Sequence, residues 1–535
     1  MPSNTGASPV TKPTVVLVPV WGVGHFVPML EAAKRLLARS GGTLTITVLV
    51  MPAPTATRAS EIAEHIRQEE AGGLDIRFHW RAQDLKYGYS KISKDKKKQA
   101  HNSSKLEIEH IEAQGGPAPG FQHLPAVQHP AEATYSGIEE FISRYVQLYV
   151  PHVQTAIAGF TCPVAAVLVD IFCTTLFDAT HELGVPAYVY LISSAAMCAL
   201  LLRSPSLDDE VAGEFEELED GVDVPGLPPV PPSCLPTGME NRKIATYKWF
   251  VYNGRRYMEA KGIVVNTIAE LEPSVLAAIA EGRCTCGVRA PTFYTIGPVL
   301  PLTSTAQQGH ECLRWLDLQP VASVVFLCFG GGGFCTTPQA HEIADALERS
   351  GHRFLWVLRG PPENGTKLPT DANLAELLPA GFLERTKMRG LVWPERAPQK
   401  EILAHKAVGG FVTHCGWNSI LESMWFGVPM VPWPASAEQH YNAFTLVANM
   451  GLAVAMKVDR NKSNFVEAAE LERVIKALMD DEEGKRVRKK AMEMKAASRQ
   501  ALEDGGSSYK SLQRLRDALH DGAVLPNTRD QIFKI

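Results

Sequence analysis

The segment Arg396–Gln439, RAPQKEILAHKAVGGFVTHCGWNSILESMWFGVPMVPWPASAEQ, decides how the rest of the chain is read. Inside it Gly410-Phe411-Val412-Thr413 is an apolar run with the pattern of a short buried strand, and Trp417 to Met424 has helical periodicity. His414-Cys415-Gly416 must then carry the turn. Glycine at 416 would let the backbone turn tightly, leaving the first amides of the helix, near Asn418 and Ser419, pointing into a cleft. A helix N-terminus favours an anion by about 0.3–1 kcal/mol, and a diphosphate is the natural guest.

Working outward, the same strand, glycine-rich turn and helix recur. Val324–Phe329 is a strand that ends in Gly330-Gly331-Gly332-Gly333, with a helix expected from Pro338 to Ser350. Near the start, Thr14–Val20 is a strand and Pro28–Leu37 an amphipathic helix, joined by Trp21-Gly22-Val23-Gly24-His25-Phe26. A dinucleotide fingerprint would need a third glycine at 27, where Val27 stands, so a nicotinamide cofactor is not indicated. Ala165–Val169 is a further buried strand with Asp170 at its end, and one long helix is expected before it, from Thr134 to Ala158. Strands alternating with helices point to α/β architecture with parallel sheets, and 535 residues exceed one ordinary core.

Composition narrows the function classes. The chain is 45% hydrophobic and 21% charged with net charge −5, so no basic field calls for nucleic acid. The lysine run Lys94-Asp95-Lys96-Lys97-Lys98 lies in a segment poor in branched aliphatics and fits a solvated loop. No apolar stretch approaches the roughly 20 residues of a membrane span, and a cytoplasmic protein is expected. The ten cysteines are scattered; Cys284-Thr285-Cys286 has one intervening residue, not the two of zinc or redox motifs, so reduced thiols and no metal site are expected.

The opening segment closely resembles the signature box of the plant family-1 UDP-sugar-dependent glycosyltransferases. Ala397-Pro398-Gln399, His405, the HCGWNS run from His414 to Ser419, Glu422 and the closing Glu438-Gln439 carry that resemblance. It implies a GT-B fold, two Rossmann-like α/β domains facing across a cleft. The expected organisation is a disordered N-terminus over 1–12, an acceptor-binding domain over 13–299 and a linker over 300–310. A UDP-sugar-binding domain over 311–505, a helix over 506–520 that crosses back to the first domain, and a frayed tail over 521–535 complete it. Residues 81–123 depart from the family pattern and are expected to be a disordered insertion.

The resemblance implies an inverting reaction in which an acceptor hydroxyl displaces UDP from the anomeric carbon of a UDP-sugar. A hydroxyl needs a base, and a histidine with reference pKa near ~6.5 suits neutral pH. His25 is the expected base, with Asp170 accepting its other ring N–H, although each alone also fits a plain helix-end role. Trp21, Gly24 and Phe172 are the expected acceptor-side residues. Carried over from the family, Ala397 and Gln399 face uracil, Glu422 the ribose, and Trp417, Glu438 and Gln439 the sugar. His414, Asn418, Ser419 and the Gly330–Gly333 turn meet the diphosphate in place of a metal, so UDP-glucose is a co-substrate and no cofactor is expected. Gln439 resembles glucose-preferring members, where histidine goes with galactose. Two departures stand out: Arg396 replaces the usual uracil-stacking tryptophan, and Gly331 replaces a serine hydroxyl. A guanidinium plane can still stack on a base. The expected protein is a monomeric glucosyltransferase acting on a flavonoid or other phenolic. A catalytically silent UDP-sugar binder and a UDP-glucuronate-using transferase are the alternatives.

Overall fold

The computed structural model describes residues 12–71, 76–78, 122–301, 309–363 and 368–526. The expected insertion lies outside the described residues apart from Gln122 and His123, as do most of the N-terminus and linker and residues 527–535. The described residues form two compact units, one from those within 1–130, 144–188 and 516–535, the other from those within 131–143 and 189–515.

The first unit is built on β1 Thr14–Val18, β2 Thr45–Val50, β3 Ile76–Phe78, β4 Gln122–His123 and β5 Val164–Asp170. Its strands lie in the order β3-β2-β1-β5, with β4 also on β2, and the β1 pairings are parallel. Every residue of β1, β2 and β5 is buried, as expected of parallel strands covered on both faces. The chain winds outward from β1 to β3 and then returns to the other side of β1, so the switch point falls between β1 and β5. The helix Val23–Arg39 leaves β1 immediately after that point.

β6 Ala187–Leu191 runs across the boundary between the units in the chain, and β7 Gly262–Val265 pairs in parallel with β8 Thr292–Thr295 in the second unit. The main sheet of that unit contains β9 Val324–Cys328 and β10 Arg353–Val357. After the small hairpin β11 Arg359–Gly360 and β12 Thr370–Asp371 come β13 Gly390–Trp393, β14 Val408–Thr413 and β15 Met430–Pro432. The order is β13-β10-β9-β14-β15. Alternate residues of β9 enter different cores: Val324, Phe326 and Cys328 pack with Phe411 and Ile420, whereas Val325 and Leu327 pack with Ile343 and Trp356. Here the switch point lies between β9 and β14, which are followed by the Gly330–Gly333 turn and the His414-Cys415-Gly416 turn.

Some expectations are corrected. The long helix over 134–158 is two helices, Ile138–Gln147 and Val150–Ala158, because Pro151 has no N–H to continue the ladder and instead sits in the first turn of the second. The helix Ala195–Glu210 starts behind a true cap, Ser194, whose hydroxyl accepts from Met197 N at 3.0 Å. The tail is not free from residue 521: Val524 forms an antiparallel bridge with Val164 of the same unit. In the signature turn, Cys415 takes the left-handed conformation (φ 65°) while Gly416 has φ −62°. Glycine is needed at 416 for another reason, since a Cβ there would lie 2.5 Å from His414 Nε2.

Candidate active site

In the first unit, the switch point brings together the end of β5 and the helix after β1. His25 is the third residue of that helix and its amide bonds Gly22 O at 2.9 Å. Its Nδ1 donates to Asp170 Oδ1 at 3.0 Å. Asp170 is fully buried, yet its charge is well met: Oδ1 also accepts from Ile171 N at 2.7 Å and Oδ2 from Val20 N at 3.3 Å. A buried carboxylate held by two main-chain amides cannot swing away, so it fixes the ring and the tautomer together. Nε2 is then the lone-pair nitrogen of a ring that keeps 27% exposure. A ring so held can accept a proton at Nε2. Of the expected acceptor-side residues, Gly24 is exposed, Phe172 is buried, and Trp21 is buried with its ring edge-on to Tyr145 at 4.5 Å. Tyr145 is itself anchored by its hydroxyl, which donates to Pro52 O at 2.8 Å.

In the second unit, the two turns at the switch point meet around His414. A Cβ on Gly330 would lie 2.6 Å from the His414 ring, and Gly330 has φ 72°, so both the space and the backbone require glycine. Burial pushes the His414 pKa down to about 4, which keeps the imidazole neutral at pH 7. Its Nδ1 is enclosed without a hydrogen-bond partner among the described residues. Gly331 is exposed and a Cβ there would meet nothing within 4 Å. The helix Trp417–Phe426 starts at Gly416 with no side-chain cap, leaving the amides of Trp417, Asn418 and Ser419 directed out of its first turn.

The expected donor residues are partly brought together and partly redirected. Gln399 Nε2 donates to Ser419 Oγ at 2.9 Å and to Glu422 Oε2 at 2.8 Å, linking three of them. Burial raises the Glu422 pKa, and the bond from Gln399 opposes that. Trp417 is 3% exposed and its indole N–H donates to Asn266 O at 2.7 Å, so a ligand would meet its backbone amide rather than its ring. Gln439 Oε1 accepts from Ala435 N at 2.9 Å and Ser436 N at 3.1 Å, so its carbonyl is spent on the turn before it. Glu438 Oε1 accepts from Asn442 Nδ2 at 3.4 Å. Ala397 is half-buried, and Arg396 is exposed, its carbonyl accepting from Trp393 Nε1 at 3.3 Å. His405, the conserved-spacing histidine of the box, caps its helix and reaches Asp317 at 3.2 Å.

Sequence reasoning missed three residues around this site. Asn266 anchors Trp417, Asn464 holds the segment before Gln439, and His440 bonds Asn464 at 2.8 Å. None carries a spacing signal, because each partner lies far away in the chain. Among the described residues there is no cluster of histidine, cysteine or acidic side chains fit for a metal, and no helix is long and apolar enough to cross a membrane.

Comparison with known proteins adds identity to this geometry. Residues 300–496 match the family model described as UDP-glucoronosyl and UDP-glucosyl transferase. A malvidin galactosylase of Oryza sativa subsp. japonica is 58% identical over 96% of this chain and 99% of its own length. An anthocyanidin 5,3-O-glucosyltransferase of a Rosa hybrid cultivar is 36% identical over 94% and 98%. A Medicago truncatula UDP-glycosyltransferase solved with UDP-glucose superposes with TM-score 0.74 at 33% identity, covering 95% of this chain and 98% of that one.

Proposed function

Because the chain belongs to the UDP-glucoronosyl and UDP-glucosyl transferase family and has its GT-B fold of two Rossmann-like α/β domains, we propose that it moves a hexose from UDP to a phenolic hydroxyl of a flavonoid-class acceptor. The single observation that carries this reading is the His25–Asp170 pair at 3.0 Å. His25 Nε2 takes the acceptor proton as the oxygen attacks the anomeric carbon, and Asp170 stabilises the imidazolium that forms. One displacement inverts the configuration without a covalent intermediate. The leaving diphosphate is met by amides of the Trp417–Phe426 helix and of the Gly330–Gly333 turn, and His414 offers a neutral ring beside them. Fixed dipoles then do the work that a divalent ion does elsewhere, and no cofactor is required.

The acceptor class draws support from relatives named for malvidin and anthocyanidin. Gln439 favours UDP-glucose as donor. A second reading, UDP-galactose, is favoured by the galactosylase name of the rice relative, and the two sugars differ only in the orientation of one hydroxyl. A relative named baicalein 7-O-glucuronosyltransferase, 39% identical over 76% of this chain, makes UDP-glucuronate the third donor to include.

The test is release of UDP from each donor with a panel of anthocyanidins and flavonols, for the parent protein and His25→Ala. Acceptor-dependent release with a hexose donor that falls at least about 100-fold in the variant is expected. A variant as active as the parent would remove His25 from the mechanism, and turnover with UDP-glucuronate alone would replace the hexose donor.

A further inference from the structure

The segment that leads into the expected sugar-binding pair is held in an unusual way. Ala437, immediately before Glu438, has φ 54°, a left-handed backbone that a residue with a Cβ rarely adopts. Strain of this kind persists only where the surroundings over-determine it. Here one residue from a different loop, Asn464, ties down the chain on both sides of Ala437. Asn464 Nδ2 donates to Ala435 O at 2.8 Å, its Oδ1 accepts from His440 Nε2 at 2.8 Å, and its backbone carbonyl accepts from Trp433 Nε1 at 3.0 Å. Those three partners bracket Glu438 and Gln439 on both sides.

Asn464 is in turn built to do this. It has φ 61°, a conformation asparagine tolerates better than most residues, and its amide bonds Asp459 O at 2.9 Å to close its own loop. Arg460 of the same loop donates to Ser233 O at 2.7 Å and Leu235 O at 2.9 Å, and the neighbouring Thr237 N reaches Ala437 O at 3.0 Å. The strained carbonyl is thus gripped from outside while Gln439 locks the turn from within. Trp433 also packs edge-on to Phe329, at the foot of the Gly330–Gly333 turn, 5.2 Å between ring centres.

We propose that Asn464 is a positioning residue for the donor sugar: its three-way grip holds Ala437 in the left-handed conformation and thereby sets where Glu438 and Gln439 meet the hexose. The inference rests on the sugar role assigned above to that pair.

Asn464→Gly is the informative variant, because glycine keeps the left-handed backbone and the carbonyl for Trp433 but deletes both side-chain bonds. A rise of about tenfold in KM for the UDP-hexose is expected, together with a narrowed preference between UDP-glucose and UDP-galactose. The dissociation constant of UDP alone, which lacks the sugar, should stay within about twofold. His440→Gln, which can still donate to Asn464, should keep most of the parent behaviour, while His440→Leu should follow Asn464→Gly. Equal KM and hexose preference in parent and Asn464→Gly would overturn the proposal, and so would a parallel loss of UDP affinity, the mark of general damage. If Asn464→Gly does not fold, the His440 pair decides: indistinguishable Gln and Leu variants overturn the inference. Gln439→Ala separates the two readings. An unchanged donor KM there rejects the sugar site itself, whereas a raised KM there with none in Asn464→Gly rejects only the role of Asn464.

Discussion

Asp170 shows how one buried carboxylate becomes useful: two backbone amides compensate its burial, and Oδ1 also accepts from His25 Nδ1. Asp170→Asn keeps the shape but removes the charge that stabilises the imidazolium, so kcat should fall by about 10²–10⁴ with UDP affinity unchanged. Steady-state kinetics with a titration of UDP checks this, and a kcat within a few-fold of the parent would reduce Asp170 to a helix-end role. His440 of the second unit behaves differently. Burial, with Arg460 adding to it, lowers the pKa of His440 from 6.5 to about 4. Between those values the unfolded chain binds the extra proton, so this contribution to stability is present above pH 6.5 and is lost as the pH falls towards 4. At pH 5 the loss from one such histidine is about 2 kcal/mol. Urea unfolding of the parent and of His440→Gln at pH 7.5 and pH 5 should therefore show a drop smaller by that amount in the variant, and equal drops would mean that His440 is not held neutral by the fold. The His25–Asp170 pair could be anticipated because Asp170 ends one parallel strand and His25 opens the helix that follows another, positions that periodicity reveals. His440 and Asn464 could not, since their pairing depends on which loops the fold brings side by side.

At the scale of the element, the glycine-rich turn after β9 divides its glycines by physical need. Gly330 has φ 72° and faces the His414 ring, and a Cβ on Gly333 would lie 2.2 Å from Phe329 O. Gly331 faces open space. Gly331→Ser should therefore fold like the parent and, if the diphosphate sits over this turn, tighten UDP binding several-fold by adding a hydroxyl donor. Gly333→Ala should lose about 2 kcal/mol or more through forced backbone movement. Thermal melts of both variants and UDP titration of the first check the pair, and a Gly331→Ser protein with unchanged UDP affinity would place the phosphates elsewhere. Four successive glycines in the sequence look alike; only the packing distinguishes required from permissive ones. The strands were more legible, because fully apolar runs such as Val164–Val169 fit strands buried on both faces. Over 134–158 the helical pattern runs on through Pro151, but a proline without an N–H cannot continue the ladder, so two helices form where one is expected.

At the scale of the molecule, the proposed chemistry is divided between the units: the base pair belongs to the first, and every residue assigned to the donor belongs to the second. Each sheet has its own switch point, and the proposal assigns one half of the reaction to each, which is why the fold class could be read from repeated strand-turn-helix patterns while the roles of individual side chains could not. Trp417 illustrates the gap, since the sequence presents it as a ligand contact and the fold spends its indole N–H on Asn266. Division of labour has a measurable consequence. Glu422 is tied to Gln399 and Ser419 through a bond network confined to the second unit, so Glu422→Ala should weaken donor binding by about 1–3 kcal/mol, the range for a lost partner of a buried amide, and raise the KM for UDP-hexose accordingly. The pH dependence of kcat, set by His25 in the first unit, should not move. Combining Glu422→Ala with His25→Ala should then give additive losses in kcat/KM, because groups without shared partners do not couple. A double variant whose loss departs from the sum by more than about 1 kcal/mol would show that donor binding and acceptor activation act as one unit, and the assignment of separate roles to the two sheets would have to be given up.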